Sequence, residues 1–190
     1  ARRWLRDHFV AVRKSDWAFP LKAAQFRIVA AFALLILIGT VLLSMPFAHR
    51  AGRVGRLEAL FTATSAVCVT GLIVVDTGSD FTLAGQLIIL ALIQVGGLGI
   101  MTLGALAFRL LGRRMSLKSQ AVLHDTLFQE DASEAFRTMF MRILRLTAAI
   151  EFVGVLCLFV LLLPGRSWSQ ALYSSVFHSI SAFCNAGFSI

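Results

Sequence analysis

Apolar residues along this chain gather into three long blocks and two short, broken ones. The first long block fills residues 26–46, with no charge between Ile28 and Met45. At about 1.5 Å per residue, such a run covers the roughly 30 Å hydrocarbon core of a bilayer and predicts a transmembrane helix. It exceeds the usual apolar region of a signal peptide, about 7–15 residues, and the basic stretch ahead of it is too long for a leader, so the helix is expected to be retained. The second block, 83–111, is free of charge until Arg109 and is long enough to tilt. The third, 139–163, ends at Pro164. Arg142 and Arg145 near its start can reach the interface. Glu151 lies inside it, and an acid there is costly unless paired or hydrated. Arg142 or Arg145 on the same helix, or a residue of a neighbouring repeat, is the expected partner.

The short blocks lie between the long ones. Glu58, Thr62, Thr64 and Ser65 interrupt the first; Ser174, Ser175, His178, Ser179 and Ser181 interrupt the second, and each ends at a glycine. Neither has the length or continuity of a span. Both are expected to be re-entrant, 57–72 and 168–190, which requires protein or water beside them.

Charge sets the expected orientation. Seven Lys/Arg precede Ile28, seven lie from Arg109 to Arg145, and only Arg50, Arg53, Arg56 and Arg166 lie elsewhere. Positive residues collect on the cytoplasmic side, so the N-terminus and the 112–138 linker are expected there and the re-entrant pieces outside. Residues 1–25, with Trp4, Leu5, Phe9 and Val10 among arginines, form an amphipathic segment suited to anionic lipid headgroups or a regulatory partner. Ser116 and Ser133 read as helix starts in the linker.

Composition agrees. The chain of 190 residues is 58% apolar and 15% charged, against about 25% charged in soluble domains, which argues against a soluble enzyme and against disorder. A net charge of +8 could suit nucleic acid, but no basic face on a soluble fold is visible. Cys68, Cys157 and Cys184 lack the spacing of a disulfide framework or a zinc site. The expected fold class is therefore all-α integral membrane.

The pattern also repeats. Ser65-Ala66-Val67-Cys68-Val69-Thr70-Gly71-Leu72 matches Ser181-Ala182-Phe183-Cys184-Asn185-Ala186-Gly187-Phe188 at four of eight positions, offset by 116 residues, and Phe61 and Phe177 keep that offset. Residues 26–111 form a first unit of span, re-entrant piece and span; residues 139–190 form part of a second. Duplicated membrane units often place the functional site where the copies meet. A span, a short helix, a glycine-bearing strand and a second span is the arrangement of a potassium-channel pore unit. The helix C-terminus offers negative dipole charge to a cation, and backbone carbonyls replace its water.

At these residues the chain resembles a family. Leu60 to Leu72, with Val75-Asp76-Thr77-Gly78 and Gln94-Val95-Gly96-Gly97-Leu98-Gly99, is similar to the first repeat of the Trk/Ktr/HKT potassium transporters. Phe177 to Phe188 resembles the family's second filter. The short basic segment leading straight into the first span is most similar to the Ktr-type membrane subunit, since Trk-type subunits carry an extra leading hairpin. The resemblance implies four repeats around one pore, of which this sequence would be an N-terminal fragment. It also implies a homodimer of membrane subunits in the cell (inner or plasma) membrane, resting on a cytosolic RCK-type nucleotide-binding ring. In plant relatives a serine at the first filter glycine goes with sodium transport; glycine at both positions here resembles the potassium-selective pattern.

The expected ion contacts are the backbone carbonyls of Cys68, Val69, Thr70, Gly71, Cys184, Asn185, Ala186 and Gly187, holding potassium as the transported ion, with no cofactor. Asp76 and Asp80 could draw cations to an outer mouth, or Asp80 could cap the helix ahead of Leu83. Gly96, Gly97, Gly99 and Gly104 read as close-packing glycines or a pore-lining hinge, and Gln94 as facing either the pore or a neighbouring helix. The expected function is channel-like potassium uptake, with sodium as a coupling ion left open. The alternative is a non-conducting structural subunit. An intramembrane enzyme using Glu151 and His178 is disfavoured because they fall in separate elements.

Overall fold

The computed structural model describes residues 18–50, 54–112 and 131–190. Among these it is helical, with no strand beyond a single bridge between His49 and Phe81. Helix α1 is Ala18–Leu43, α2 Arg56–Val67, α3 the single turn Thr77–Asp80, α4 Leu83–Gly112, α5 Asp131–Leu162 and α6 Trp168–Phe183. A 3-10 turn, Leu163–Gly165, links α5 to α6. The basic segment 1–17 and Ser116 lie outside the described residues. Helix α5 starts at Asp131, ahead of Ser133.

Length separates two kinds of helix. Three apolar segments, Phe26–Leu43, Leu83–Thr102 and Arg137–Gly165, are long enough to cross a membrane. Helices α2 and α6 have 12 and 16 residues and reach only about 18 and 24 Å, short of a roughly 30 Å core.

Two compact units divide the chain at Leu35 and Ile36. The described part of the first is the leading portion of α1, where Phe26, Val29 and Leu34 are exposed. The second runs from Ile36 to Ile190. In it α5 packs most extensively along α6 and α2 along α4, while α4 also touches α5 and α6. Its core is formed by Leu43, Val67, Phe81, Ile89, Ile93 and Phe177. Phe152, Val153, Leu156, Val160 and Leu161 on α5 face outward, as lipid-facing residues do.

The ends of the helices follow from local chemistry. Helix α1 stops three residues short of Pro46, which disfavours helical geometry before it. The loop after it is tied to the start of α4. Thr82 N–H donates to the Ala48 carbonyl at 3.0 Å and Thr82 Oγ1 to that of Phe47 at 2.6 Å. Thr82 also caps α4, its carbonyl accepting from Gln86 N–H at 2.9 Å and its hydroxyl from Gly85 N–H at 3.3 Å. Capping of α4 thus falls to Thr82, because Asp80 is itself the last residue of α3.

Candidate functional site

Helices α2 and α6 end in the same way. At α2, Cys68 N–H donates to the Thr64 carbonyl at 2.9 Å, Val69 N–H to Ala66 at 3.2 Å and Thr70 N–H to Ser65 at 2.9 Å. At α6, Cys184 N–H donates to Ile180 at 3.0 Å, Asn185 N–H to Ala182 at 3.0 Å and Ala186 N–H to Ser181 at 2.7 Å. Each bond has its counterpart 116 residues away. The nested pair of bonds is a Schellman motif, which needs a left-handed residue just past the helix. Those residues are Val69, φ 56°, and Asn185, φ 58°. Two residues on, Gly71 at φ 74° and Gly187 at φ 71° are left-handed again.

Glycine and asparagine tolerate that region; a β-branched valine does not, at a cost of roughly 1–2 kcal/mol. Val69 is therefore held there by its neighbours. The N–H groups of 68–70 all turn back into α2. Among the described residues no donor reaches the carbonyl oxygens of 68–71 or 184–187.

The two tips meet at their glycines. A Cβ on Gly71 would lie 2.6 Å from the Ala186 carbonyl oxygen and 3.1 Å from Gly187 Cα. A Cβ on Gly187 would lie 3.1 Å from Gly71 Cα. Only glycine on both sides permits this approach of backbone to backbone.

Helix α4 lies against both tips through adjacent glycines. A side chain at Gly96 would fall on the Val67 carbonyl, while one at Gly97 would come within 2.8 Å of Cys184 Sγ. One turn earlier, Gln94 Nε2 donates to both oxygens of Glu151, at 2.9 and 3.1 Å. Gln94 therefore faces a neighbouring helix. An arginine of α5 does not take this place, because residues six or nine apart on a helix lie on different faces. Ser179 Oγ donates to the Glu151 carbonyl at 2.7 Å, and Cys184 Sγ lies 3.8 Å from Gln94 Oε1.

Asp76 and Asp80 bond to each other across α3. Asp76 caps α3: its Oδ1 accepts from Ser79 N–H at 2.6 Å, and its own N–H donates to Asp80 Oδ2 at 2.9 Å. The Ser79 N–H bond holds the Asp76 carboxyl below its ordinary value. Sequence reasoning missed Gln86. Its amide donates to the carbonyls of Thr77, Gly78 and Phe81 at 3.1 to 3.3 Å, and its oxygen accepts from Tyr173 OH at 2.7 Å. A cavity of about 360 Å³ opens beside it, lined by Gly78, Arg166, Tyr173 and Ser174. A lone amide early in a long apolar helix was the available signal. His178 Nδ1 donates to the Ser174 carbonyl at 2.7 Å within its own helix. Cys68, Cys157 and Cys184 are free thiols.

Comparison with known proteins narrows the reading. Residues 7–190 match the TrkH family, described as a cation transport protein. The chain is 43% identical over 159 residues to the Ktr system potassium uptake protein B of Bacillus subtilis, covering 84% of this chain and 35% of that protein. It is 40% identical over 164 residues to the potassium/sodium uptake protein NtpJ of Enterococcus hirae, covering 86% of this chain and 36% of that protein. The Ktr system potassium uptake protein B of Vibrio alginolyticus is 41% identical over 163 residues, with 86% and 35% covered. The chain thus spans about a third of the length of these relatives.

Proposed function

The chain belongs to the TrkH cation transport family, a family of transporters and not of enzymes, and from that premise we propose that its two glycine tips form part of a selectivity filter for potassium uptake. In this reading 57–72 and 168–190 are re-entrant pieces of two pore repeats, 26–111 and 139–190, joined by the cytoplasmic linker 112–138. Potassium passes between the tips on the carbonyl oxygens of Cys68, Val69, Thr70 and Gly71, and of Cys184, Asn185, Ala186 and Gly187.

One observation carries this reading: the matched left-handed residues 69 and 71, and 185 and 187, on tips whose glycines touch. Left-handed residues alternating with residues of negative φ turn successive carbonyls toward one side of the strand. The N–H groups of 68–70 and 184–186 are already used in the caps, and the oxygens remain to replace the water of an alkali cation. The C-terminal dipole of each short helix adds negative potential at the same place. No charged side chain is required, and the tips carry none.

The remaining parts of the proposal rest on the family or, for the N-terminus, on the placement of Lys and Arg and its amphipathic pattern. They are a homodimer of membrane subunits, a cytosolic RCK-type nucleotide-binding ring, and a cytoplasmic N-terminus held on membrane lipids. The decisive experiment is uptake by the full-length protein in a potassium-auxotrophic bacterium. Rescue of growth at low potassium supports conduction, and failure at normal membrane abundance favours the non-conducting structural subunit. Repeating the assay with and without sodium decides coupling. In the same strain Gly71→Ser should weaken preference for potassium over sodium; an unaltered preference would sink the filter assignment.

A further inference from the structure

Three helices converge on the second tip through a set of polar contacts with no role in the reading above. Gln94 on α4 and Glu151 on α5 are each partly buried in a long apolar helix. An amide or a carboxylate placed alone there would be expensive. Each answers the other: one amide nitrogen serves both carboxylate oxygens, at 2.9 and 3.1 Å. The amide oxygen that remains points to Cys184, 3.8 Å away. Cys184 caps α6 and directly precedes the left-handed Asn185.

Contacts on either side fix the same geometry. Ser179 Oγ holds the Glu151 carbonyl at 2.7 Å, and Gly154, where a side chain would strike that hydroxyl, lets α5 and α6 close together. Gly97 lets α4 reach Cys184. Among the described residues the first tip has no such bracket. The residue 116 positions before Glu151 is Leu35, and Cys68, the counterpart of Cys184, is exposed.

We propose that Gln94 and Glu151 are positioning residues: their hydrogen-bonded pair holds Cys184, and through it sets the register of the second tip that selects potassium. The inference rests on the filter reading. It does not require the negative charge of Glu151 to act on the ion. It requires an amide and its acceptor to meet at this depth.

The test uses the full-length protein in the potassium-auxotrophic strain, with membrane abundance measured for every variant. Gln94→Leu and Glu151→Leu should each raise the potassium concentration for half-maximal uptake by about tenfold, the scale of one hydrogen bond lost from a charged group. Both should weaken preference for potassium over sodium. The double leucine variant should be no worse than the poorer single one, as expected for one shared interaction. Glu151→Gln keeps shape and one acceptor oxygen, so its shift should be smaller than that of Glu151→Leu. Gln94→Glu places two acids face to face and should abolish uptake, and adding Glu151→Gln to it should restore uptake with potassium preferred.

Unchanged half-saturation and preference in the leucine variants would overturn the proposal. So would additive losses, or Glu151→Gln matching Glu151→Leu. Should the leucine variants not reach the membrane, the exchanged pair decides, and its failure to restore uptake overturns the proposal. Gly187→Ser, measured alongside, separates the two claims. If it alters selectivity while the leucine variants do not, only the bracket is wrong. If it leaves selectivity unchanged, the filter reading falls first.

Discussion

The two tips share a backbone and differ in what holds it. On the first, Thr70 Oγ1 donates to Ser65 Oγ at 3.1 Å, a bond within the tip, and the left-handed position is filled by valine. On the second, Ser181 Oγ donates to the Phe188 carbonyl at 2.7 Å beyond the glycine, and asparagine fills the left-handed position. The first lies against α4 at Gly96 and the second at Gly97, where the second is also bracketed by Gln94, Glu151 and Ser179. The shared elements are the serine, alanine and cysteine at the end of each helix, the cap hydrogen bonds and the glycine. The remaining side chains are free to differ. A geometry kept by two sets of supports is what a requirement on the backbone, rather than on any side chain, would leave behind.

The largest effects should come from the glycines the tips share. Gly71→Ala forces an L side chain to a positive φ, costing roughly 1–2 kcal/mol, and drives its Cβ to 2.6 Å from the Ala186 carbonyl oxygen. Gly187→Ala has the same φ penalty but meets Gly71 Cα only at 3.1 Å. Both should cut potassium uptake by tenfold or more, roughly, with Gly71→Ala the more severe. Equal loss, or a reversed order, would break the proposed contact between the tips.

Gly96 and Gly97 should divide the tips from each other. A methyl group at Gly96 lands on the Val67 backbone, which cannot turn aside. At Gly97 it meets the Cys184 side chain at 2.8 Å. Gly96→Ala should therefore lower uptake strongly with no second-site remedy at the first tip, and Gly97→Ala more mildly. Adding Cys184→Ala to Gly97→Ala should recover part of the loss. No recovery would mean that α4 does not touch the second tip where it is drawn.

Smaller still is the exchange of the left-handed residues. Val69→Asn should stabilise the protein by about 1 kcal/mol and Asn185→Val should destabilise it by a similar amount, since only the hand of the backbone is at issue. Thermal unfolding of the purified full-length protein in detergent reads both. Opposite signs are the prediction, and shifts of one sign would remove the equivalence of the two positions.

These contrasts also mark how far the residues alone could be read. The all-α membrane class, the three long apolar helices and the family were legible, because each is written in runs and repeats that need no partner. The octamer at Ser65 and Ser181 marked both tips for the same reason. The left-handed valine was not legible: a β-branched residue carries no local signal for a conformation it avoids, and only the cap bonds from Thr70 and Val69 impose it. Of the partners expected for Glu151, helical spacing turns Arg142 and Arg145 away, and the residue of a neighbouring repeat is the one that meets it, as Gln94. An amide and an acid, each stranded in its own apolar helix, were the better clue. Gln86 and Tyr173, 87 residues apart, meet through tertiary packing that no local pattern announces.

The smallest effect belongs to Asp76, which separates capping from attraction of cations. Its carboxyl lies below the ordinary value because Ser79 N–H stabilises the charged form. A depressed carboxyl lends stability that is complete above its unfolded value and is lost only as pH falls through its folded one. The cap should thus be intact throughout the range from about pH 5.5 to 7.5, and Asp76 should add no step to the pH profile of uptake there. Asp76→Asn keeps the acceptor for Ser79 and removes the charge. If the charge gathers cations at an outer mouth, this variant should raise the potassium concentration for half-maximal uptake about twofold at low ionic strength and leave it unchanged in high salt, which screens such fields. If the residue only caps, Asp76→Asn should match the unmodified protein at both salt concentrations, while Asp76→Ala, which loses the bond to Ser79, should lower uptake slightly at each.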